Sequence, residues 1–177
     1  MSVLRRVGAA VRLDAGIAWR HLVLGVVAGS ALVPRPLRWL VYRAAGLDVR
    51  TRNVFSGVTI TGSALSVGER TFVNHDCYLD VARGRIEIGA DCHLAPQVMV
   101  LTATHGRDED GRTSRDAEYL TTRVGDNVWL GARATLLPGA VVEDGCVVAA
   151  GAVVTGRLTS GGVYAGVPAR RVREVAA

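Results

Sequence analysis

The chain has 177 residues, of which 49% are apolar and 21% charged, so it is long enough for one domain with a sizeable core and too hydrophobic for a disordered chain. All 21 basic residues are Arg, which excludes a lysine Schiff base, a P-loop lysine and a kinase-type lysine. The three Cys and four His have no zinc-finger or zinc-ribbon spacing. An odd cysteine count without a Cys-x-x-Cys pair suits a reduced, cytoplasmic protein.

Positive charge is concentrated at the N-terminus. Residues 1–52 hold nine Arg against Asp14 and Asp48, a net charge of +7, whereas the remainder holds twelve Arg against fourteen acidic residues. The bulk of the chain is therefore predicted not to bind nucleic acid. The basic segment alone could contact a polyanion or a membrane surface.

Residues 1–56 are predicted to form a helical N-terminal segment. Apolar residues have helical spacing over residues 3–24 and again over 37–45, with two prolines between them. The longest run without an ionisable side chain, Leu22–Pro34, is too short to span a bilayer, which requires about 20 residues. Two interpretations stay open: the segment only caps the fold, or it also makes weak peripheral contact with the inner face of the membrane.

Aliphatic residues recur at every sixth position in three blocks. The twelve positions are Val67, Val73, Leu79, Ile88, Leu94, Val100, Val124, Leu130, Leu136, Val142, Val148 and Val154. A period of six matches neither an α-helix nor an alternating strand. It predicts an all-β fold of short strands joined by corners, three strands to a coil, stacked as a parallel β-solenoid with these aliphatic side chains inside.

A second column lies four residues after the first and is mostly small. It includes all three cysteines, Cys77, Cys92 and Cys146, which we therefore interpret as small core residues rather than a metal or redox site. The solenoid is predicted to cover residues 57–164. It is interrupted by a long polar loop over 102–122, and loops of that length are usually functional. Residues 165–177 are predicted to contain a short C-terminal helix.

Several segments of the solenoid resemble the hexapeptide-repeat acyltransferases, especially the maltose, galactoside and nodulation-type O-acetyltransferases. They are Phe72–Asn74, Cys77–Asp80, Thr102–His105, Gly125–Gly131, Leu137–Gly139, Ala150–Thr155 and Ala165–Arg170. The resemblance covers roughly residues 57–175. It implies a left-handed β-helix and a homotrimer that binds acetyl-CoA between neighbouring subunits, with no metal.

The resemblance also implies an active site. Transfer of an acetyl group to an alcohol needs a base that removes the hydroxyl proton, and His105, at the root of the long loop, is the candidate. Asn74 and Asp80 occupy the places of acceptor-binding residues. The interval between these two looks one residue shorter than in the sugar enzymes, which affects the placement of Asp80 and the choice of acceptor.

Further positions are implied to bind the acetyl-CoA co-substrate. The backbone N–H of Ala132 would stabilise the developing oxyanion, and Trp129 would form a wall of the pantetheine channel. The full set of implied co-substrate-binding residues is Trp129, Gly131, Ala132, Ala150, Thr155, Arg170 and Arg173. Among the other histidines, His75 and His93 lie at different phases of the hexad and are predicted to be structural.

The expected function is acetyl-CoA-dependent O-acetylation of a sugar or glycan hydroxyl. The segment Val33–Arg38 resembles acetyltransferases of capsule and exopolysaccharide pathways, which favours polysaccharide modification. Alternatives are a small-molecule or antibiotic hydroxyl, a nucleotide-sugar amine, or a non-catalytic hexapeptide scaffold. The zinc-dependent carbonic-anhydrase branch of the fold is disfavoured, because it needs two closely spaced His and this chain has no His-x4-His.

Overall fold

The computed structural model describes residues 11, 14–16, 18–81 and 83–175. Within them lie a π-helix, His21–Val27, and an α-helix, α1, Arg35–Ala44. The strands are β1 (Asp48–Val49), β2 (Thr59–Ile60), β3 (Leu65–Val67), β4 (Phe72–Val73), β5 (Tyr78–Asp80), β6 (Arg85–Ile88), β7 (His93–Leu94), β8 (Met99–Leu101), β9 (Ala103–Arg107), β10 (Thr113–Tyr119), β11 (Thr121–Val124), β12 (Trp129–Leu130), β13 (Thr135–Leu136), β14 (Val141–Val142), β15 (Val147–Val148), β16 (Val153–Val154), β17 (Arg157–Leu158), β18 (Gly162–Ala165) and β19 (Arg170–Glu174).

These strands form the three faces of a solenoid. Sheet I has the order β1-β3-β6-β11-β14-β17, sheet II the order β4-β7-β12-β15-β18-β19, and sheet III the order β2-β5-β8-β13-β16. Within the coils the chain passes from sheet I to sheet II to sheet III, and each strand pairs in parallel with its equivalent in the next coil. We call the corner between sheets II and III the II–III edge, and the corner between sheets III and I the III–I edge.

The predicted hexad is confirmed as the inward-facing column. All twelve aliphatic residues of the repeat are buried, each at most 4% exposed. The second column is buried as well, which includes the three cysteines. Burial raises the pKa of the Cys77 thiol to about 11, so this group stays protonated at neutral pH, as expected for a core residue.

Residues 102–122 form an antiparallel hairpin rather than an irregular loop. Strands β9 and β10 pair with Ala117 opposite His105, and the connecting turn is closed by the N–H of Asp108, which donates to the carbonyl of Arg112 at 2.8 Å. The strands are polar and largely exposed. They therefore lack the alternation of apolar and polar residues by which a half-buried strand is recognised in a sequence.

The predicted C-terminal helix is wrong. Residues Arg170–Glu174 form β19, which pairs antiparallel with β18 at the open end of sheet II. A helix of this length has little stability in isolation, whereas the exposed edge of β18 offers unpaired backbone groups. The side chain of Arg171 also lies over the ring of Tyr164, 5.9 Å from its centroid, which favours the strand.

The N-terminal segment packs against the first coil. The predicted second helix is present but begins at Arg35 rather than at Leu37, because a proline is tolerated in the first helical turn. The predicted first helix, residues 3–24, lies partly outside the described residues. Within the described part, residues 18–20 are helical and continue into the π-helix. In the part of the chain that is described, no helix has the length and hydrophobicity needed to cross a membrane.

Candidate active site

His105 lies on β9 of the projecting hairpin and is exposed. Its Nδ1 is 3.0 Å from the backbone carbonyl oxygen of Ser114 on the opposite strand. A carbonyl can only accept a hydrogen bond, so Nδ1 carries the proton and donates it. In the neutral imidazole, Nε2 then has the free lone pair, which is the form that a general base requires.

The root of this hairpin is fixed by two buried threonines. Thr102 Oγ1 donates to the backbone oxygen of Asp80 at 2.7 Å, and Thr122 Oγ1 donates to the carbonyl of Leu101 at 2.7 Å. A Cβ on Gly84 would lie 2.5 Å from both Leu120 O and Thr102 Cβ. The coil is therefore in close contact with the residues that flank both strands of the hairpin, which fixes the root of the hairpin that carries His105.

Asp80 ends β5 beside this root, at the III–I edge. Its half-buried carboxylate accepts a hydrogen bond from Thr61 Oγ1 at 2.8 Å. Asn74 follows β4 and lies at the II–III edge instead, where its Oδ1 accepts from the N–H of His75 at 2.8 Å. The structure thus brings Asp80 to the base of the hairpin that carries His105 but places Asn74 at a different edge of the same protomer.

The II–III edge also carries the central group of predicted co-substrate residues. Trp129 is on β12 with its ring 56% exposed. In the turn that follows, a Cβ on Gly131 would lie 2.5 Å from the backbone nitrogen of Ala150. The carbonyl of Ala132 accepts from Gly151 N–H at 2.9 Å. Two successive coils therefore contact each other here through backbone, beside an exposed indole.

The N–H of Ala132 has no acceptor among the described residues. It lies in the half-buried turn directly after β12. A backbone N–H without a protein acceptor donates to water or to a ligand. This donor is thus available to a substrate oxygen.

The remaining predicted residues lie elsewhere on the last coils. Thr155 follows β16 at the III–I edge and is exposed, so the structure does not bring it next to Ala150. Arg170 and Arg173 are exposed on β19, and within the described residues neither forms an ion pair with a carboxylate. The neighbouring Arg171, in contrast, pairs with Glu174. Two uncompensated positive charges therefore remain on this strand.

The predicted structural histidines pack against aromatic rings at the surface. His93 stacks on Phe72 with a centroid distance of 5.2 Å. His75 meets Phe55 edge-on at 5.0 Å, and its Nδ1 is 3.0 Å from Ser56 Oγ. Among the described residues, no group of three His, Cys, Asp or Glu is arranged to hold a metal ion.

Sequence reasoning missed Ser114 and the two hairpin threonines. Ser114 acts through its backbone carbonyl, which leaves no side-chain signal in a sequence. Thr102 and Thr122 were detectable in part, because they are the residues that bound the interruption of the hexad.

Comparisons with known proteins place the chain in a family. Residues 121–156 match the family described as bacterial transferase hexapeptide (six repeats). Over 135 residues the chain is 32% identical to WbbJ of Escherichia coli, a candidate O-acetyl transferase of lipopolysaccharide biosynthesis, covering 69% of each chain. The chain belongs to the hexapeptide-repeat transferases.

Other relatives in this family are similar over shorter stretches. An acetyltransferase-like protein of Schizosaccharomyces pombe is 37% identical over 64% of this chain and 55% of its own length. The galactoside O-acetyltransferase of Escherichia coli is 29% identical over 64% of this chain and 56% of its own length. The chain therefore spans little more than half the length of these relatives.

A solved structure supports the same family placement. A maltose O-acetyltransferase from Clostridium difficile 630 superposes with a TM-score of 0.81, at 28% identity over 93% of this chain and 89% of that one. Similarity at this level, together with the three parallel sheets, fits the left-handed β-helix that the sequence resemblance implied.

Proposed function

We propose that this hexapeptide-repeat protein is an acetyl-CoA-dependent O-acetyltransferase that acts on a sugar or glycan hydroxyl. The observation that carries the proposal is His105, an exposed imidazole on a projecting hairpin whose Nδ1–H donates to the Ser114 carbonyl. Relatives named as galactoside and lipopolysaccharide O-acetyl transferases support the substrate class.

The chemistry follows from the tautomer of His105. Nε2 accepts the proton of the acceptor hydroxyl as its oxygen attacks the acetyl carbonyl, because an alcohol is too weak an acid to ionise at neutral pH. The Ser114 carbonyl holds the ring in orientation and stabilises the imidazolium that results. The N–H of Ala132 donates to the carbonyl oxygen as negative charge develops on it. When the tetrahedral intermediate collapses, the C–S bond breaks and the imidazolium of His105 returns its proton to the departing CoA thiolate. Asn74 and Asp80 bind the acceptor.

The II–III edge and β19 suit the co-substrate. Acetyl-CoA supplies a thioester that is activated for acyl transfer. We infer that its pantetheine arm lies along Trp129, Gly131 and Ala150, where two coils contact each other through backbone beside the exposed indole. Thr155 lies at the III–I edge, so it would contact the pantetheine arm only if the arm extends that far. The unpaired guanidinium groups of β19 provide the charge that binds phosphates.

Replacing Arg170 and Arg173 together by Ala should raise KM for acetyl-CoA about tenfold or more and leave kcat nearly unchanged. A contact with phosphate is made equally in the ground state and the transition state, so its loss affects binding alone. Steady-state kinetics measure both constants, with Arg52→Ala, an exposed position outside the hairpin and the II–III edge, as the matched surface control. An unchanged KM with a lower melting temperature would assign the two Arg to the stability of β19 instead.

We further propose that the active unit is a homotrimer. One protomer places Asn74, Trp129 and Ala132 at the II–III edge but Asp80 and the His105 hairpin at the III–I edge. A threefold ring would join the II–III edge of one subunit to the hairpin of its neighbour and so complete the site. Light scattering should give three times the mass of one chain at micromolar concentration. A monomer with full activity would contradict the shared site.

The test of the function itself is acetyl-CoA turnover against a panel of acceptors. Release of the CoA thiol should accelerate with particular mono- or oligosaccharides and leave an O-acetyl ester on the product, identified by mass spectrometry and its lability to mild base. Turnover only with amino sugars, giving a base-stable amide, would favour the nucleotide-sugar amine alternative. No turnover with any acceptor, despite measurable CoA binding, would contradict the proposal.

A further inference from the structure

Exposed apolar side chains are concentrated in the N-terminal segment. Fifteen large hydrophobic residues are exposed among the described residues, and eight of them lie within residues 11–40: Val11, Trp19, Leu22, Val26, Val27, Leu32, Leu37 and Leu40. Trp19 is 66% exposed and Leu32 is 92% exposed. A cluster of this kind on a water-soluble surface marks an interaction site.

The helices present these side chains outward in an ordered way. On α1, Leu37 and Leu40 are three residues apart and therefore lie on one face, while Arg38 and Tyr42 on the opposite face are buried. In the preceding helical stretch, Trp19, Leu22 and Val26 are exposed, whereas Leu24 is buried. The polarity of α1 is thus partly inverted, with Leu toward solvent and Arg toward the coil.

The segment that carries this apolar surface is basic. Asp48 is the only acidic residue from 18 to 52 in the sequence, and it is already paired with Arg43 and Arg50. Arg35 and Arg52 lie over the rings of Phe55 and Trp39 at 5.0 Å and 5.2 Å. These ring contacts leave the charges of Arg35 and Arg52 uncompensated. Arg35 is three residues before Arg38, so it lies beside the apolar face of α1 rather than on it. Buried Arg38 does not contribute to the surface field.

We propose that this surface, which we call the docking face (Trp19, Leu22, Val26, Leu32, Leu37 and Leu40, flanked by Arg35 and Arg52), binds an anionic lipid bilayer in its interfacial region. Apolar side chains flanked by Arg are the pattern of a segment that lies in the membrane surface. The aliphatic and indole groups enter the boundary of the acyl chains. The guanidinium groups remain at the level of the headgroup phosphates.

The charge favours lipid over a second copy of this chain as the occupant. Two copies meeting through this face would bring two uncompensated clusters of Arg together, which is repulsive. An anionic bilayer provides the opposite charge across the whole face. The inference goes beyond the proposed acetyl transfer and does not depend on it, because vesicle binding is measured without an acceptor or acetyl-CoA.

The test is co-sedimentation of the full-length protein with vesicles of phosphatidylcholine alone or with 30 mol% phosphatidylglycerol. Binding should occur with the anionic vesicles and weaken at high salt. Leu37→Gln with Leu40→Gln should weaken it about tenfold or more, and Arg35→Gln with Arg52→Gln by roughly fivefold per charge. The matched controls, Val172→Gln with Val175→Gln and Arg83→Gln with Arg112→Gln, should bind like the unaltered protein.

A second measurement, of fluorescence in the otherwise unaltered protein, does not depend on whether the Leu and Arg variants fold. Trp19 fluorescence, compared with a Trp19→Phe variant, should shift to the blue when anionic vesicles are added, because the indole leaves water. Three results would overturn the proposal: no binding to anionic vesicles at low salt, equal binding to neutral vesicles, or dissociation of the Leu37 and Leu40 variant into smaller species by light scattering. The last would identify the face as a subunit interface.

Discussion

Replacing His105 by Ala is expected to lower kcat by about 10²–10⁴ and leave the affinity for CoA unchanged. The reason is the orientation of the ring by the Ser114 carbonyl, which leaves Nε2 as the one free basic nitrogen. The side chain is exposed and takes no part in the core. Removal of the imidazole should therefore affect proton transfer rather than the free energy of unfolding. Steady-state kinetics and calorimetry of CoA binding measure the two quantities.

The matched control for His105→Ala is His21→Gln. His21 is an exposed histidine at the start of the π-helix, far along the chain from the hairpin, and its replacement should leave kcat within a factor of two. A variant of His105 that is folded, binds CoA and turns over at the rate of the unaltered protein would disprove the assignment of the base. His105→Gln, which keeps the size and polarity of the side chain but not its basicity, should be as inactive as the Ala variant.

The fold was largely predictable because its signal is repeated. Every coil must place one aliphatic residue inside each of three faces. A pattern that recurs twelve times outweighs local exceptions such as the interval of nine residues, instead of six, between Leu79 and Ile88. The hairpin and β19 occur once each. Their strands are exposed and polar, so pairing is decided by neighbouring backbone rather than by their own composition.

The candidate site was predictable only where it depends on side chains. Asn74 and Asp80 are polar residues at the ends of inward-facing strands, and His105 stands where the hexad is interrupted, so a sequence shows all three. The Ser114 carbonyl that sets the tautomer of His105 is a backbone group of a strand that the sequence did not reveal. The separation of Asn74 and Asp80 onto different edges also emerges only when the coil is closed.

Arg38 shows the limit of charge counting. In the sequence it is one of nine Arg that make the N-terminus basic, and counting alone assigns it to the surface. In the structure it is 2% exposed. Burial lowers its pKa, and no carboxylate contacts it among the described residues. Its charge is stabilised by carbonyl dipoles, which a count of charges cannot show.

Replacing Arg38 by Met should destabilise the N-terminal segment by about 3 kcal/mol or more. The guanidinium donates to the carbonyls of Val54 at 2.7 Å, Ser30 at 2.8 Å and Val33 at 2.9 Å, and its Nε donates to Ala28. Met has similar length but no donor, so four carbonyl oxygens lose a hydrogen bond at once, and among the described residues only that of Ser30 keeps another, from the N–H of Val33. Because these bonds join the turn after the π-helix to the first coil, the loss should be local.

Hydrogen exchange resolves this local effect. Amides of residues 21–47 should exchange about a hundredfold faster in Arg38→Met, since 3 kcal/mol corresponds to roughly two powers of ten in the opening equilibrium, while coils beyond Val67 should keep their protection. The control is Arg35→Met, on the same helix, whose exposed side chain lies over the ring of Phe55 and should change exchange little. Equal exchange in the two variants would show that Arg38 does not hold the segment to the solenoid.

A uniform increase of exchange through all coils would show instead that the segment and the solenoid unfold together, as expected of a cap that the first coil requires.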